Sequence, residues 1–363
     1  MGMIGANFVV ASAVGPLMGG ALTEKASWRW CFYTNILICL VAMLVIGFFL
    51  RLPTPKENMK ERLTKVDYLG SITLLIFTSL IALGLNWGRT TVSLEFSSSY
   101  YFAFFRYCFL TSFHLLSTET YVLVRNIISP NITAFFNGSI FSATIIYLPL
   151  YYQIVHRASV INSGLQLLAT MLGMVSMSIS SGVFMVKTGI YRQLSIAGTD
   201  ISIIDTTLMG SLMGVNISRS ELIVFSLLIG LGVGLCIQIN TIVSQPAVIM
   251  KDAAIVTSLV SFSQSLGSVI GIAVLGAVHQ DVLTSSLAKN VLTVSVGALL
   301  QSSTYIQTLK PEFRVAVVQS YVDGFHSMVL TGIAFFSISF ISSLCLKHIP
   351  LRSMGAPASG RAS

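Results

Sequence analysis

Charged residues are scarce in this sequence. Asp, Glu, Lys and Arg make up only 9% of the 363 residues, against about 25% in a typical soluble domain. Hydrophobic residues make up 54%, and the stretches Cys31–Leu50, Leu222–Met250 and Ala253–Val278 carry no charge at all. Each is long enough for a membrane-spanning helix, which needs about 20 predominantly apolar residues. The composition therefore excludes an ordinary soluble domain.

Several chemical signatures are also missing. The five cysteines show no CxxC pairing or metal-ligand spacing, and the five histidines lie apart from one another. No catalytic triad, metal cluster or nucleotide-binding loop is present, so we expect neither an enzyme nor a metal or cofactor. The net charge of +8 is spread between the apolar runs rather than gathered in one arm. We therefore read it as a signal of membrane topology, and we expect no nucleic-acid partner.

The apolar runs predict an all-α, multi-pass integral membrane protein with the lipid bilayer as its surroundings. Strands of a membrane barrel would alternate polar and apolar residues over about 10 positions, whereas these runs are apolar on all sides. We predict about ten spans, which lie near 3–22, 30–50, 67–87, 98–118, 131–153, 162–186, 193–214, 221–245, 254–278 and 325–347. A polar segment at 279–324 separates the last two spans.

Loop charges predict the orientation of these spans. Alternate loops carry the basic stretch Arg51–Lys65, then Lys187 with Arg192, and finally Lys347 with Arg352. Short cytoplasmic loops are enriched in Lys and Arg, so we place this set of loops in the cytoplasm.

A glycine–proline motif marks the first span. Gly15 and Gly19 follow Ala11 at intervals of four, which forms a ridge where another helix can approach closely. Pro16 removes a backbone donor and bends the helix. Gly20 completes the motif. The segment Trp28-Arg29-Trp30 follows across a short loop, with Trp28 and Trp30 suited to the membrane interface and Arg29 to an acid or a lipid headgroup.

These two motifs together resemble the fifth and sixth helices of the fungal fourteen-helix drug and toxin:proton antiporters of the major facilitator superfamily. Further stretches match in order along the chain: Asp67–Gly70, Tyr147–Gln153, Gly230–Gly234 and Asp252–Phe262. The resemblance implies a major facilitator helical bundle that lacks the first four helices of the family.

The same resemblance implies a division into four parts. Residues 1–50 correspond to helices five and six, 51–127 to a cytoplasmic loop and two linker helices, 128–350 to the C-terminal six-helix half, and 351–363 to a disordered tail. The implied function is efflux of small amphipathic organic molecules, such as drugs or toxins, in exchange for protons at the plasma or vacuolar membrane. The alternative is a truncated, non-transporting membrane protein that acts only through partners.

Polar side chains inside the predicted spans are the candidates for a substrate or proton pathway. A buried amide or carboxyl in a membrane must find a partner, so it either bonds a neighbouring helix or lines a wet cavity. Two acids, five residues apart, and four amides meet this description: Asp200, Asp205, Gln153, Gln238, Asn240 and Gln264.

Overall fold

The structure is a computed structural model that describes residues 14–15, 18–23, 25–49, 68, 70, 72–73, 75–76, 79–80, 125–214, 217–245, 253–290 and 311–346. Helices are the regular secondary structure of this described part, and it contains no strand. The predicted span at 98–118 and the tail at 351–363 lie outside the described residues, as does most of the predicted loop and linker region at 51–127.

Seven long helices account for most of the described part of the chain. Six of them are long and apolar enough to cross a membrane. The helix α4 is the exception because, at 21 residues, it has the length but is less apolar. Their bounds are α1 Arg29–Phe49, α2 Arg125–Ile154, α3 Val160–Thr188, α4 Arg192–Leu212, α5 Arg219–Ser244, α6 Ala253–Asn290 and α7 Pro311–Leu344. The prediction of an all-α membrane bundle is confirmed.

The last two helices are longer than predicted. The sequence placed a polar segment at 279–324, but α6 continues to Asn290 and α7 begins at Pro311. A helix of 38 residues is about 57 Å long, so it exceeds the hydrocarbon core of about 30 Å. A side-chain bond joins the two extensions: the Ser286 hydroxyl of α6 donates to Asp323 of α7 at 2.8 Å. Within α7, the Gln319 amide donates to the same carboxylate at 3.0 Å.

The helices α2 to α7 pack into one bundle. The helix α2 contacts α3, α5, α6 and α7, while α4 lies against α5 and α7. The helix α1 buries none of its residues, and its apolar side chains face outward, with Phe48 and Phe49 about four-fifths exposed. An apolar helix without a buried face is suited to lipid rather than to water.

Three glycines let α5 touch two helices at once. Successive helical residues are about 100° apart, so Gly230 and Gly234 share one side of α5 while Gly232 lies on the other. A Cβ at Gly230 or Gly234 would come within 3.0 Å of Met174 atoms on α3, and one at Gly232 would lie 2.9 Å from the Gly198 oxygen on α4. The backbones of α3, α5 and α4 are therefore in direct contact.

A second small-residue ridge joins α6 to α2. A Cβ added at Gly267 would lie 2.7 Å from the Phe135 carbonyl carbon, and one at Gly271 would lie 2.6 Å from the Ser139 oxygen. The Ser139 hydroxyl donates to the Gly267 carbonyl at 2.8 Å. The ridge formed by Ser263, Gly267 and Gly271 thus has the packing role that its spacing predicts.

Polar residues close the ends of the helices. Ser159 caps α3 by accepting from the Asn162 amide, and α3 ends at Gly189, whose φ of 72° favours glycine. Ser218 and Glu221 form a capping box at the start of α5, in which each side chain accepts from the other residue's backbone N–H.

Candidate functional site

The glycine–proline motif contacts the bundle at one described position. A Cβ at Gly20 would lie 3.3 Å from Ile161 Cα, at the start of α3, whereas Gly15 and Gly19 have nothing within 4 Å of an added Cβ. Pro16 lies outside the described residues. The motif thus brings the segment before α1 against α3. A role of Gly15, Pro16, Gly19 and Gly20 as a hinge in the first span stays a prediction.

The Trp28-Arg29-Trp30 segment lies at the beginning of α1. Trp28 and Trp30 are 60% and 49% exposed, and the Arg29 guanidinium is 5.7 Å from the centre of the Trp28 ring. A cation over an indole face is a favourable contact. Exposed aromatic rings at the end of an apolar helix suit the membrane interface, and this assignment remains a prediction.

A partly open cavity lies between α2, α4, α5, α6 and α7. Its lining is largely aliphatic and aromatic, with three methionines and a small number of hydroxyl groups. Flexible, polarisable methionines let one pocket accommodate ligands of different shapes. The lining residues are Ile140, Ala143, Thr144, Tyr147, Leu148, Tyr151, Thr206, Met209, Met213, Ile229, Leu275, Phe325, Met328, Val329 and Gly332.

Polar groups occupy defined places in this apolar lining. The Tyr151 hydroxyl donates to the Gly214 carbonyl at 3.0 Å, and the Thr206 hydroxyl donates to the Ser202 carbonyl at 2.7 Å. Thr144 donates within α2 to the Ile140 carbonyl at 2.9 Å. A cleft lined mainly by apolar groups with a few placed polar atoms is the usual form of a small-molecule site.

Asp205 lies next to this cavity in the sequence and in the fold. Its relative exposure is 0%, and neither carboxylate oxygen has a hydrogen-bond partner among the described residues. Its neighbour Thr206 lines the cavity. Asp200 is only half-buried. It precedes Asp205 by five residues, which places the two side chains about 140° apart around the axis of α4. The two acids therefore do not form a carboxylate pair.

The buried face of α4 is polar, and its exposed face is apolar. The exposed side chains include Ile204, Leu208 and Leu212, which is the arrangement expected where the surroundings are lipid. The helix is consequently less apolar than its neighbours because its small and polar residues face the other helices. The buried set is Ser195, Gly198, Thr199, Ser202, Asp205, Thr206 and Gly210.

Two of the candidate amides are engaged in helix contacts. The Gln153 amide at the end of α2 donates to the Ser163 hydroxyl at 3.0 Å. Gln264 packs its side-chain Cγ and its backbone against Gly138 of α2, where an added Cβ would lie 3.1 Å from that Cγ. Both residues join neighbouring helices and neither lines the cavity.

The remaining two amides lie on α5. Gln238 faces Gly182 of α3, with its Cγ 3.4 Å from the position of an added Cβ. Asn240 is 2% exposed, and its Oδ1 has no partner within the described part of the chain. Asn240 therefore resembles Asp205 in being a buried polar group that is not satisfied by the helices around it.

The residues that line the cavity are not among the candidates predicted from the sequence. Tyr147 and Tyr151 are four residues apart and so share one face of α2, a signal that was readable within the stretch Tyr147–Gln153. Met209 and Met328 come from different helices, and no spacing within the sequence brings them together. None of the six candidate polar residues lines the cavity; Asp205 comes nearest, as the neighbour of Thr206.

Comparison with known proteins supports a specific family. A family model described as Major Facilitator Superfamily matches residues 1–272. An MFS-type efflux pump of Arthroderma benhamiae is 29% identical over 362 residues, which cover 94% of this chain and 67% of that protein. The efflux pump roqT of Penicillium rubens is 29% identical over 95% of this chain and 66% of its own length.

A third relative, the efflux pump aflT of Aspergillus parasiticus, is 29% identical over 88% of this chain and 65% of its own length. The chain thus spans about two thirds of the length of the relatives that it matches. The matches cover the glycine–proline segment as well as most of the bundle.

Proposed function

The chain belongs to the major facilitator superfamily, and from this premise we propose that it takes part in efflux of small amphipathic organic molecules in exchange for protons. The superfamily is one of membrane transporters rather than enzymes. The relatives named as efflux pumps support the direction of transport. The domain division at residues 50, 127 and 350 is part of this proposal, with 128–350 as one complete six-helix half.

The cavity between α2, α4, α5, α6 and α7 is the observation on which the proposal rests. Five helices contribute to its mainly apolar lining, in which a few hydroxyl groups have fixed positions, the usual form of a small-molecule site. Its Met and aromatic lining favours apolar ring systems, and hydroxyl groups such as that of Thr206 can accept from a polar substituent. We therefore assign small amphipathic molecules to this cavity.

In this proposal, the carboxyl group of Asp205 binds and releases the transported proton. An ionisable residue inside a membrane bundle is costly unless it serves a pathway or finds a partner. Asp205 is buried and has no partner among the described residues. In the proposed cycle it takes up a proton when the cavity is empty and releases it when substrate is bound. Transporters of this kind alternate access by moving one bundle against the other.

Reconstitution into liposomes tests the proposed efflux. The full chain would be inserted into vesicles, a pH gradient imposed, and the accumulation of ethidium followed by its fluorescence. We expect accumulation that disappears when an ionophore collapses the gradient. A wild-type protein without gradient-dependent accumulation would contradict the proposal and favour a membrane protein that does not transport by itself.

A matched pair of variants tests the cavity. Met328→Trp fills the cavity, because Met328 is 9% exposed and lines it. Ile341→Trp places the same ring on the outside of the same helix, where Ile341 is 61% exposed. A change of one or a few methylene groups in a binding pocket alters the discrimination between substrates by about ten-fold or more. We therefore expect Met328→Trp to lower the rate of accumulation by at least that factor and Ile341→Trp to leave it unchanged.

A further inference from the structure

Aromatic rings form part of the cavity lining at the end where α2 and α4 finish. Tyr147 and Tyr151 of α2 and Phe325 of α7 all line the cavity. The rings of Tyr151 and Phe325 meet edge to face, with their centroids 5.1 Å apart. The Tyr151 hydroxyl bonds the Gly214 carbonyl, just beyond the end of α4. We call Tyr147, Tyr151 and Phe325 the aromatic wall.

His279 of α6 lies directly behind the aromatic wall. The centroid of its ring is 4.4 Å from that of Phe325 and 5.5 Å from that of Tyr147, and the residue is 5% exposed. It follows the lining residue Leu275 by four positions, so both lie on the same face of α6. Since His279 is not itself a lining residue, the rings of the aromatic wall separate it from the space of the cavity.

Close packing fixes the imidazole of His279 in this position. The ring of Tyr321 is also in contact, with its centroid 6.1 Å away. On α7, a Cβ added at Gly324 would lie 2.7 Å from the His279 carbonyl oxygen and 3.2 Å from its Cδ2, so α7 crosses the histidine at a glycine. A charge on this imidazole therefore acts on the cavity from a fixed place, across the width of one aromatic ring.

The nearest acid on α7 bonds at a distance from His279. The carboxylate of Asp323 accepts from Ser286 at 2.8 Å and from Gln319 at 3.0 Å. Ser286 lies seven residues beyond His279, or about 10 Å along α6. Aromatic rings, rather than an acid, therefore lie between His279 and the cavity. The titratable and charged groups of the surrounding elements are Tyr147 on α2, His156 and Arg157 after α2, Arg219, Glu221 and Cys236 on α5, Asp281 on α6, and Tyr321, Asp323 and His326 on α7.

We propose that His279 determines the charge specificity of the cavity. When its imidazole is neutral, the aromatic wall accepts a positively charged ligand, because aromatic faces attract cations. When a proton binds to an imidazole nitrogen, the positive charge behind the wall excludes such a ligand, whereas an uncharged aromatic ligand still binds. Histidine is the side chain that ordinarily changes its charge between about pH 5 and 8. The inference rests on the proposed function because it takes this cavity as the ligand site.

Coulomb's law gives the size of the effect. The rings of His279 and Phe325 are 4.4 Å apart, and a cation stacked on the cavity side of Phe325 adds a contact distance of about 3.5–4.0 Å. The two positive charges would then be about 8 Å apart. At an effective dielectric constant of about 20, repulsion at this distance weakens binding of a singly charged cation roughly 30-fold.

Fluorescence binding assays with the full chain in lipid nanodiscs test this inference. The probes are ethidium, which carries one positive charge, and phenylnaphthylamine, which is uncharged; the dissociation constant of each is measured at about pH 5 and pH 8. We expect acidification to weaken ethidium binding roughly 30-fold more in the wild type than in His279→Gln, and to affect phenylnaphthylamine equally in both. The contribution of Asp205 is common to both proteins and cancels in this comparison.

Two kinds of variant make the test specific. His279→Phe keeps a ring against the aromatic wall but does not titrate, so it should behave as His279→Gln does, and phenylnaphthylamine binding at the higher pH verifies that the cavity is intact in each. His326→Gln and His156→Gln are the matched controls. His326 is half-buried on α7, and the ring of His156 is 6.0 Å from that of Tyr151. Both controls should keep the pH dependence of the wild type.

Every other outcome overturns the inference. Equal pH dependence in the wild type and both His279 variants, or no ethidium binding at either pH, would refute it. Loss of the pH dependence in His156→Gln would assign the charge to the segment after α2 instead. An equal loss of both probes on acidification would indicate a general structural change rather than exclusion of a charge. Gradient-driven ethidium accumulation without an effect of His279 would leave the efflux proposal standing and this inference wrong; an effect of His279 without accumulation would do the reverse.

Discussion

Replacing Gly267 by alanine should push α2 and α6 apart. The new Cβ would lie 2.7 Å from the Phe135 carbonyl carbon and 2.9 Å from its Cα, whereas carbon atoms pack best at about 3.5–4.0 Å. Both atoms belong to backbone, so no side-chain rotation relieves the contact. The helices must separate by about 1 Å, a gap that removes a quarter to a half of the dispersion energy of each affected atom pair.

The expected loss of stability follows from three contributions. Overpacking of this kind costs about 1–3 kcal/mol, and lengthening of the Ser139–Gly267 hydrogen bond, now 2.8 Å, costs about 1 kcal/mol more. The higher helix propensity of alanine returns about 1 kcal/mol. We therefore expect Gly267→Ala to lower the free energy of unfolding by about 1–3 kcal/mol.

Reversible unfolding in mild detergent, followed by circular dichroism, would measure this change. Gly182→Ala is the matched control, because its Cβ would meet only the flexible side chain of Gln238, at 3.4 Å. We expect that variant to be as stable as the wild type or more stable. Equal stabilities of the two alanine variants would refute the inference that backbone contact at Gly267 holds α6 against α2.

Three further predictions concern polar groups. Ser263→Ala leaves the Oδ1 of buried Asn131 without the donor that now lies 2.7 Å away, so thermal unfolding in detergent should show a loss of about 1–3 kcal/mol, and an unchanged midpoint would contradict it. Glu221→Ala breaks the capping box of α5 and should lower the unfolding midpoint in the same assay, whereas Glu221→Gln, which can still accept from the Ser218 backbone N–H, should largely retain it. Burial, and secondly the charge of Arg219, lowers the pKa of His156 in the folded protein. The free energy of unfolding should therefore be highest above the unfolded pKa of about 6.5 and should fall as the pH drops through that value towards the folded pKa. Unfolding measured across this pH range should show the fall in the wild type and not in His156→Gln.

The sequence was sufficient to predict the class of fold because membrane helices depend on composition over a long window. The spacing of Ser263, Gly267 and Gly271 on α6 also predicts close packing, and Gly267 and Gly271 do meet the backbone of α2. These predictions succeed because length, apolarity and small-residue spacing are local properties of the chain.

The end points of α6 and α7 and the cavity could not be predicted in the same way. Hydropathy locates the part of a helix within lipid, but the extensions towards Asn290 and from Pro311 are stabilised by contacts such as that of Ser286 with Asp323. The cavity requires five helices to converge, which no pattern within one segment reveals. The polar side of α4 makes it the least apolar of the seven described helices, although that side is the one it buries.

The two kinds of helix contact divide the bundle mechanically. Backbone contacts at glycines join α3, α5 and α4 into one slab and α2, α6 and α7 into another. In the second slab, an added Cβ at Gly324 of α7 would lie 2.7 Å from the His279 carbonyl oxygen of α6. The contacts of α4 with α7 are made through side chains: an added Cβ at Gly210 would meet Val329 at 3.4 Å, and one at Gly332 would meet Thr206 at 3.6 Å. Such ordinary van der Waals surfaces can shear past one another.

The cavity is lined by helices from both slabs. Widening its entrance therefore requires the slabs to part where they meet through side chains, as α4 and α7 do, with each slab keeping its own shape. The glycines thus make two rigid units, and the α4–α7 contact is a surface along which these units can move.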